Sequence, residues 1–234
     1  MTKVWYELDR RPTGVRYWAA VVRKQPSAIL VGIQLFAIVL LPWVESENWG
    51  RAVITSLSLF AVTFGIWVVR STPALTWLAL GIGFPAFVLE VWSVVDRSNV
   101  PVTFAAHLLL AIFYMYVAYG LVAYMFADTW VTKDELFAVG AAFTVLLFGF
   151  TYLFVAIQTL EPGSFDGHTG IGPKSFLELL YFSAANLTSV GLSDVVAIEP
   201  HARAATIVEQ LGGVLYVAMV ISRLVALTVS RARS

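Results

Sequence analysis

Six runs of apolar residues, each long enough to cross a bilayer as a helix, limit what this chain can fold into. A hydrocarbon core of about 30 Å takes roughly 17 to 25 residues of α-helix. Ala28–Val44, Ala52–Val69, Pro73–Val95, Val102–Phe126 and Leu136–Gln158 meet that length, and Ala204–Val229 meets it with Glu209, Gln210 and Arg223 as its strongly polar interruptions. Backbone amides in lipid must be paired within the segment, so such runs are helices. The expected fold class is an all-α membrane protein with six transmembrane helices. Composition agrees: 59% of the residues are hydrophobic and 13% charged, where soluble domains carry about 25% charged residues. The mean hydropathy is +0.80.

Charge then sets orientation and removes function classes. With a cytoplasmic N-terminus and six crossings, Lys3, Arg10, Arg11, Arg16, Arg23, Lys24, Arg70, Lys133, Arg231 and Arg233 fall inside, against Arg51, Arg97, Lys174 and Arg203 outside. That asymmetry places both termini in the cytoplasm of a multi-pass cell-membrane protein. Fifteen basic and fifteen acidic residues cancel, which excludes the basic footprint of a nucleic-acid binder, and no soluble partner is implied. The absence of cysteine excludes thiolate metal sites, thiol catalysis and disulfides. Residues 1–26 mix Trp5, Tyr6, Tyr17 and Trp18 with Arg and Lys, the pattern of a basic helix lying against lipid headgroups, with a disordered basic tail as the alternative, rather than of a cleavable signal.

Between the fifth and sixth runs lies Lys174–Thr188, apolar but too short to span, preceded by a Gly- and Pro-rich polar loop (161–173) and followed by an irregular stretch, Ser189–Pro200. A short apolar segment of this kind is expected to be re-entrant. Irregular backbone at membrane depth is tolerated only where protein or a water-filled path satisfies its polar groups, so the segment points to a pathway. Ser175 with Glu178 spells a capping box at its start.

The run Tyr181-Phe182-Ser183-Ala184-Ala185-Asn186-Leu187-Thr188-Ser189-Val190-Gly191-Leu192-Ser193-Asp194 resembles the pore helix and selectivity filter of the potassium channel superfamily, whose usual filter reads T-V-G-Y-G-D. Downstream, Pro200, Ala202-Arg203, Glu209, Gly213, Leu215-Tyr216 and Ile221-Ser222-Arg223-Leu224-Val225 resemble the inner helix of the small prokaryotic two-transmembrane module. The resemblance covers about Leu136 to Val229. It implies a homotetrameric pore domain over 128–234, with an outer helix, a pore helix, a filter and an inner helix. It further implies a filter at Thr188, Ser189, Val190, Gly191, Leu192 and Ser193, an outer mouth at Asp194 and a gating hinge at Gly213. Val217, Val220 and Leu224 recur at helical spacing and are expected to line the inner cavity or to form a dewetting constriction.

The chemistry suits passive K⁺ conduction without a cofactor. A permeating cation exchanges hydration water for oxygens, which rings of backbone carbonyls supply if the chain runs extended along the axis. Gly191 accepts positive φ without a Cβ penalty, and the Ser189 hydroxyl adds an oxygen. A ring of Asp194 carboxylates would concentrate cations. Two positions depart from the family: Leu192 lacks a hydroxyl that could bond behind the filter, and Ser193 replaces the second glycine, where a side chain is expected to introduce strain or a different local path. Selectivity between K⁺ and Na⁺ stays open on these grounds.

Residues 27–127 form a four-helix domain in the place of a voltage sensor. Voltage sensing needs several positive charges within the field, whereas Val102–Phe126 has no Lys or Arg. Glu90 reads either as functional or as reaching the interface, His107 as a packing residue or a proton sensor, and Gln34 as an interhelical hydrogen-bond partner. His168, Asp166 and His201 match no metal-ligand spacing. A secondary transporter using the re-entrant segment as a binding site is the alternative, though carriers commonly break helices in both halves. An intramembrane enzyme would need a nucleophile with a base, paired carboxylates or a metal cluster, and the sequence offers none.

Overall fold

The computed structural model describes residues 26–45, 76–96, 99–127, 133–168 and 170–233. Within them run α1 (Pro26–Glu45), α2 (Thr76–Val95), α3 (Val100–Ala127), α4 (Lys133–Leu160), β1 (Phe165–Asp166), α5 (Phe176–Leu187), β2 (Val196–Ala197) and α6 (Pro200–Arg233). All of these helices except α5 are long and apolar enough to cross a membrane. The chain is therefore a multi-pass, all-α membrane protein. Five expected runs correspond to α1, α2, α3, α4 and α6, whereas Ala52–Val69 and the basic segment as far as Gln25 lie outside the described residues. Helix α6 begins at Pro200 rather than at Ala204. Proline suits a first helical position because its missing N–H would have no partner there and its φ is already fixed.

Helix α4 is the hub, packing against α1, α3, α5 and α6. Its span is 67% buried within the chain, against 22% for that of α6, so α6 leaves most of its apolar surface for lipid or other chains. Each contact carries a polar or aromatic fastening. Asp134 of α4 accepts from the Ser27 amide (3.1 Å) and the Ser27 hydroxyl (3.0 Å), filling one of the donors that the start of α1 cannot pair internally. Further along, the Thr144 hydroxyl donates to Gln34 Oε1 at 2.6 Å, so Gln34 has the interhelical partner expected of it. Tyr114 of α3 stacks on Phe148 and Tyr152 of α4, with ring centroids 6.0 and 5.5 Å apart.

Glu90 is buried beside Tyr114 and turned into the protein. His107 lies against the ring of Tyr152 at 6.3 Å. Helix α6 is tied to α4 by the Tyr216 hydroxyl, which donates to the Val139 carbonyl at 2.6 Å. Its far end meets α3, where the Arg223 guanidinium lies 5.0 Å from the Phe126 ring centroid, a cation–π contact.

Candidate functional site

The short helix α5 is held in place at its start, along its side and at its end. Ser175 and Glu178 form the expected capping box, each side chain bonded to the other's backbone N–H, which satisfies two otherwise orphan donors. The Gln158 side chain at the end of α4 accepts from the Lys174 amide (2.8 Å) and donates to its carbonyl (2.9 Å). Along the side, Phe154 of α4, Phe165 of β1 and Phe182 of α5 meet edge to face, with centroids 5.1 to 5.7 Å apart. Such pairs each add about 0.5–1.5 kcal/mol beyond their buried area.

The chain on either side of α5 is less irregular than its composition implies. β1 pairs antiparallel with β2, Phe165 opposite Ala197 and Asp166 opposite Val196, and Ile198 N–H donates to the Ser164 carbonyl at 2.9 Å. The chain before α5 thereby grips the chain after it. His201, weighed above beside His168 and Asp166, instead lies 2.9 Å from Glu161.

At the end of α5 the Thr188 hydroxyl donates back to Ala184 O at 2.7 Å, and the chain leaves the helix through two left-handed residues, Ser189 (φ 58°) and Gly191 (φ 70°). The sequence reading expected strain or a different local path at Ser193, and the structure shows the different path. Among the described residues Ser189 is the non-glycine with positive φ, a conformation costing on the order of 1–2 kcal/mol. Ser193 escapes it by a different path: its N–H turns back to the Gly191 carbonyl at 3.1 Å, and its Oγ accepts from Val195 N–H at 3.1 Å.

The segment is anchored at alternate amides. Alternate amides point into the chain's own body, Ser189 N–H to Asn186 O and Gly191 N–H to Ala185 O, both 2.9 Å, followed by Ser193 N–H to Gly191 O. Across a planar trans peptide the carbonyl points opposite the N–H. The carbonyls of Thr188, Val190 and Leu192 are therefore turned away from those acceptors. The whole stretch from Thr188 to Leu192 is exposed on the single chain, with Val190 at 61% and Leu192 at 72%, and Asp194 is exposed beyond it.

Three residues of α6 make close contacts with α5. Glu209, wholly buried, bonds Ser183, whose hydroxyl also reaches the Leu147 carbonyl at 3.2 Å. Gln210 Nε2 donates to Asn186 Oδ1 at 2.8 Å. Gly213 passes directly over the Leu187 peptide. Sequence reasoning placed Glu209 and Gln210 on the last helix but not their partners, which only the crossing of α5 and α6 defines. Further along α6, Val217 is exposed while Val220 is buried in the chain's own core. The two do not share one free face, and the Leu224 side chain lies outside the described residues.

The Ser183–Glu209 contact makes a testable hydrogen-bond account. Ser183 has one proton and two acceptors within reach, and Glu209 Oε2 has no hydrogen-bond partner among the described residues. Removing one partner of a buried pair costs about 1–3 kcal/mol, whereas replacing both by apolar groups is nearly neutral. Ser183→Ala is expected to lower stability in detergent by about that amount, and Ser183→Ala with Glu209→Leu to recover most of it. Thermal unfolding of the single and double variants checks this, and a double variant no more stable than Ser183→Ala refutes it.

Residues 140–230 match the model of a family described as ion channel. The match runs from within the first half of α4 through α5 and the exposed segment to near the end of α6. Comparison with curated proteins and with solved structures gives no match.

Proposed function

We propose that the chain is one subunit of a homotetrameric cation channel that conducts K⁺ through Thr188–Ser193, a reading supported by the match of residues 140–230 to an ion-channel family. One observation carries the reading: an exposed segment of alternating backbone handedness turns the Thr188 and Val190 carbonyls away from the chain that holds it. Carbonyl oxygens presented this way replace a cation's hydration shell only when several copies face one another, and one chain holds one such segment. Fourfold cyclic symmetry supplies the remainder. The exposed Val190 and Leu192 side chains favour the same assembly, because neighbouring subunits would cover them.

In this reading Asp194 rings the outer mouth, Val217 faces the inner cavity, and lipid covers the outer faces of α1, α2 and α6. Both termini face the cytoplasm of the cell membrane, with 128–234 as the pore domain and 27–127 as a peripheral helical domain. The Gly191 carbonyl accepts from Ser193 N–H, so it is less available to ions than its neighbours, and discrimination between K⁺ and Na⁺ is expected to be modest. Native mass measurement in detergent should give a fourfold species. Planar bilayers containing the protein should pass cation current with a K⁺ reversal potential offset from that of Na⁺. A monomer that carries current refutes the proposal.

A further inference from the structure

We propose that Gln210 and Asn186 are the positioning pair of this filter, an inference that rests on the channel reading above. Neither side chain needs to touch an ion. Asn186 is buried, and its two ends are chemically assigned: Nδ2 donates to the Phe182 carbonyl at 2.8 Å, which leaves Oδ1 as the acceptor that Gln210 Nε2 meets at 2.8 Å. The backbone carbonyl of the same residue accepts Ser189 N–H, and that of Ala185 before it accepts Gly191 N–H, both at 2.9 Å. Those are the two left-handed residues of the filter. Two links therefore join α6 to the strained backbone, and a shift of the Asn186 side chain moves the peptide on which Ser189 hangs.

Gln210 makes this bond at the wall of an open cavity of about 390 Å³ behind the segment, lined by Asn186, Gly191, Ser193, Arg203 and Thr206. Arg203 is the charged residue of that lining and is engaged with the Ala197 carbonyl at 3.2 Å. The neighbouring Glu209 faces Ser183 instead, and Asp194 lies beyond the cavity lining.

The donor–acceptor assignment supplies the test. Gln210→Glu keeps the size of the side chain but sets a carboxylate against Asn186 Oδ1. Flipping Asn186 only moves the mismatch to the Phe182 carbonyl. Protonating the new carboxyl restores a donor, whereas Gln210→Met lacks one at every pH. Unitary K⁺ conductance and the K⁺/Na⁺ permeability ratio are measured in bilayers at about pH 7.5 and about pH 3, either side of the range, centred on about 4.3, where an exposed glutamate titrates, each normalised to the parent at the same pH.

At the higher pH both variants should shift one or both quantities by about threefold to tenfold, the factor a single hydrogen bond carries. At the lower pH Gln210→Glu should return to within about twofold of the parent, while Gln210→Met should not. Native mass confirms that each variant is assembled. Assembled variants that match the parent at both pH values overturn the inference and leave the channel reading intact. A parent that carries no cation current overturns the channel reading itself.

Discussion

Gly191→Val is expected to leave a folded fourfold assembly that passes no measurable cation current. The residue has φ of 70°, a region open to glycine but strained for a β-branched side chain. The penalty is one of backbone conformation rather than space, since a Cβ at this position meets nothing within 4 Å in the single chain. Valine recovers its preferred negative φ only by rotating the peptides on either side. That breaks Gly191 N–H to Ala185 O and swings the Val190 carbonyl out of line. The damage stays local because α5 is fixed independently by its capping box, its aromatic cluster and its bonds to α6. Loss of current with an unchanged native mass is the expected result. Current equal to the parent's would mean that ions travel by another route.

Much of the architecture was legible because lipid imposes a length on every spanning helix. The runs that became α1 to α4 and α6 needed no knowledge of their neighbours, and Ser175 with Glu178 announced the start of α5 through a contact three residues long. What was hidden depends on chain segments meeting across space. β1 and β2 are two residues each, too short to carry an alternating pattern, and they exist because α5 folds back between them. The partners of Glu209 and Gln210 lie 26 and 24 residues away, a distance set by how two helices cross. The sequence reading weighed strain or a different path at Ser193 and did not single out the left-handed serine. It sits at 189 because the turn out of α5 needs positive φ there, once Ser189 N–H is drawn back to Asn186 O. Val217 and Val220 share a helical spacing, but spacing alone did not separate the face turned to α4 from the face left free.

Two adjacent glycines with opposite surroundings give the sharpest test of the α5–α6 crossing. A Cβ built on Gly213 falls 2.8 Å from the Leu187 carbonyl carbon and nearer still to its oxygen, whereas one built on Gly212 meets nothing within 4 Å. Backbone against backbone leaves no side-chain rotation to absorb the overlap, so Gly213→Ala must push α6 off α5. Overpacking of this kind costs about 1–3 kcal/mol where flexible groups can yield, and a rigid peptide places the effect at the upper end or above. Gly212→Ala is expected to be neutral or to stabilise by up to about 1 kcal/mol, because alanine loses less conformational freedom than glycine in a helix. Thermal unfolding in detergent, read beside bilayer current, separates the pair: Gly213→Ala unfolds earlier and conducts poorly, while Gly212→Ala matches the parent. The contact also bears on gating, since a hinge at Gly213 would carry the Leu187 peptide with it, and Leu187 adjoins the first residue of the proposed filter. Bending α6 there would therefore be felt at Thr188 before it was felt in the inner cavity. If the two alanine variants proved equally stable and equally conductive, α5 and α6 could not cross as closely as Leu187 and Gly213 require.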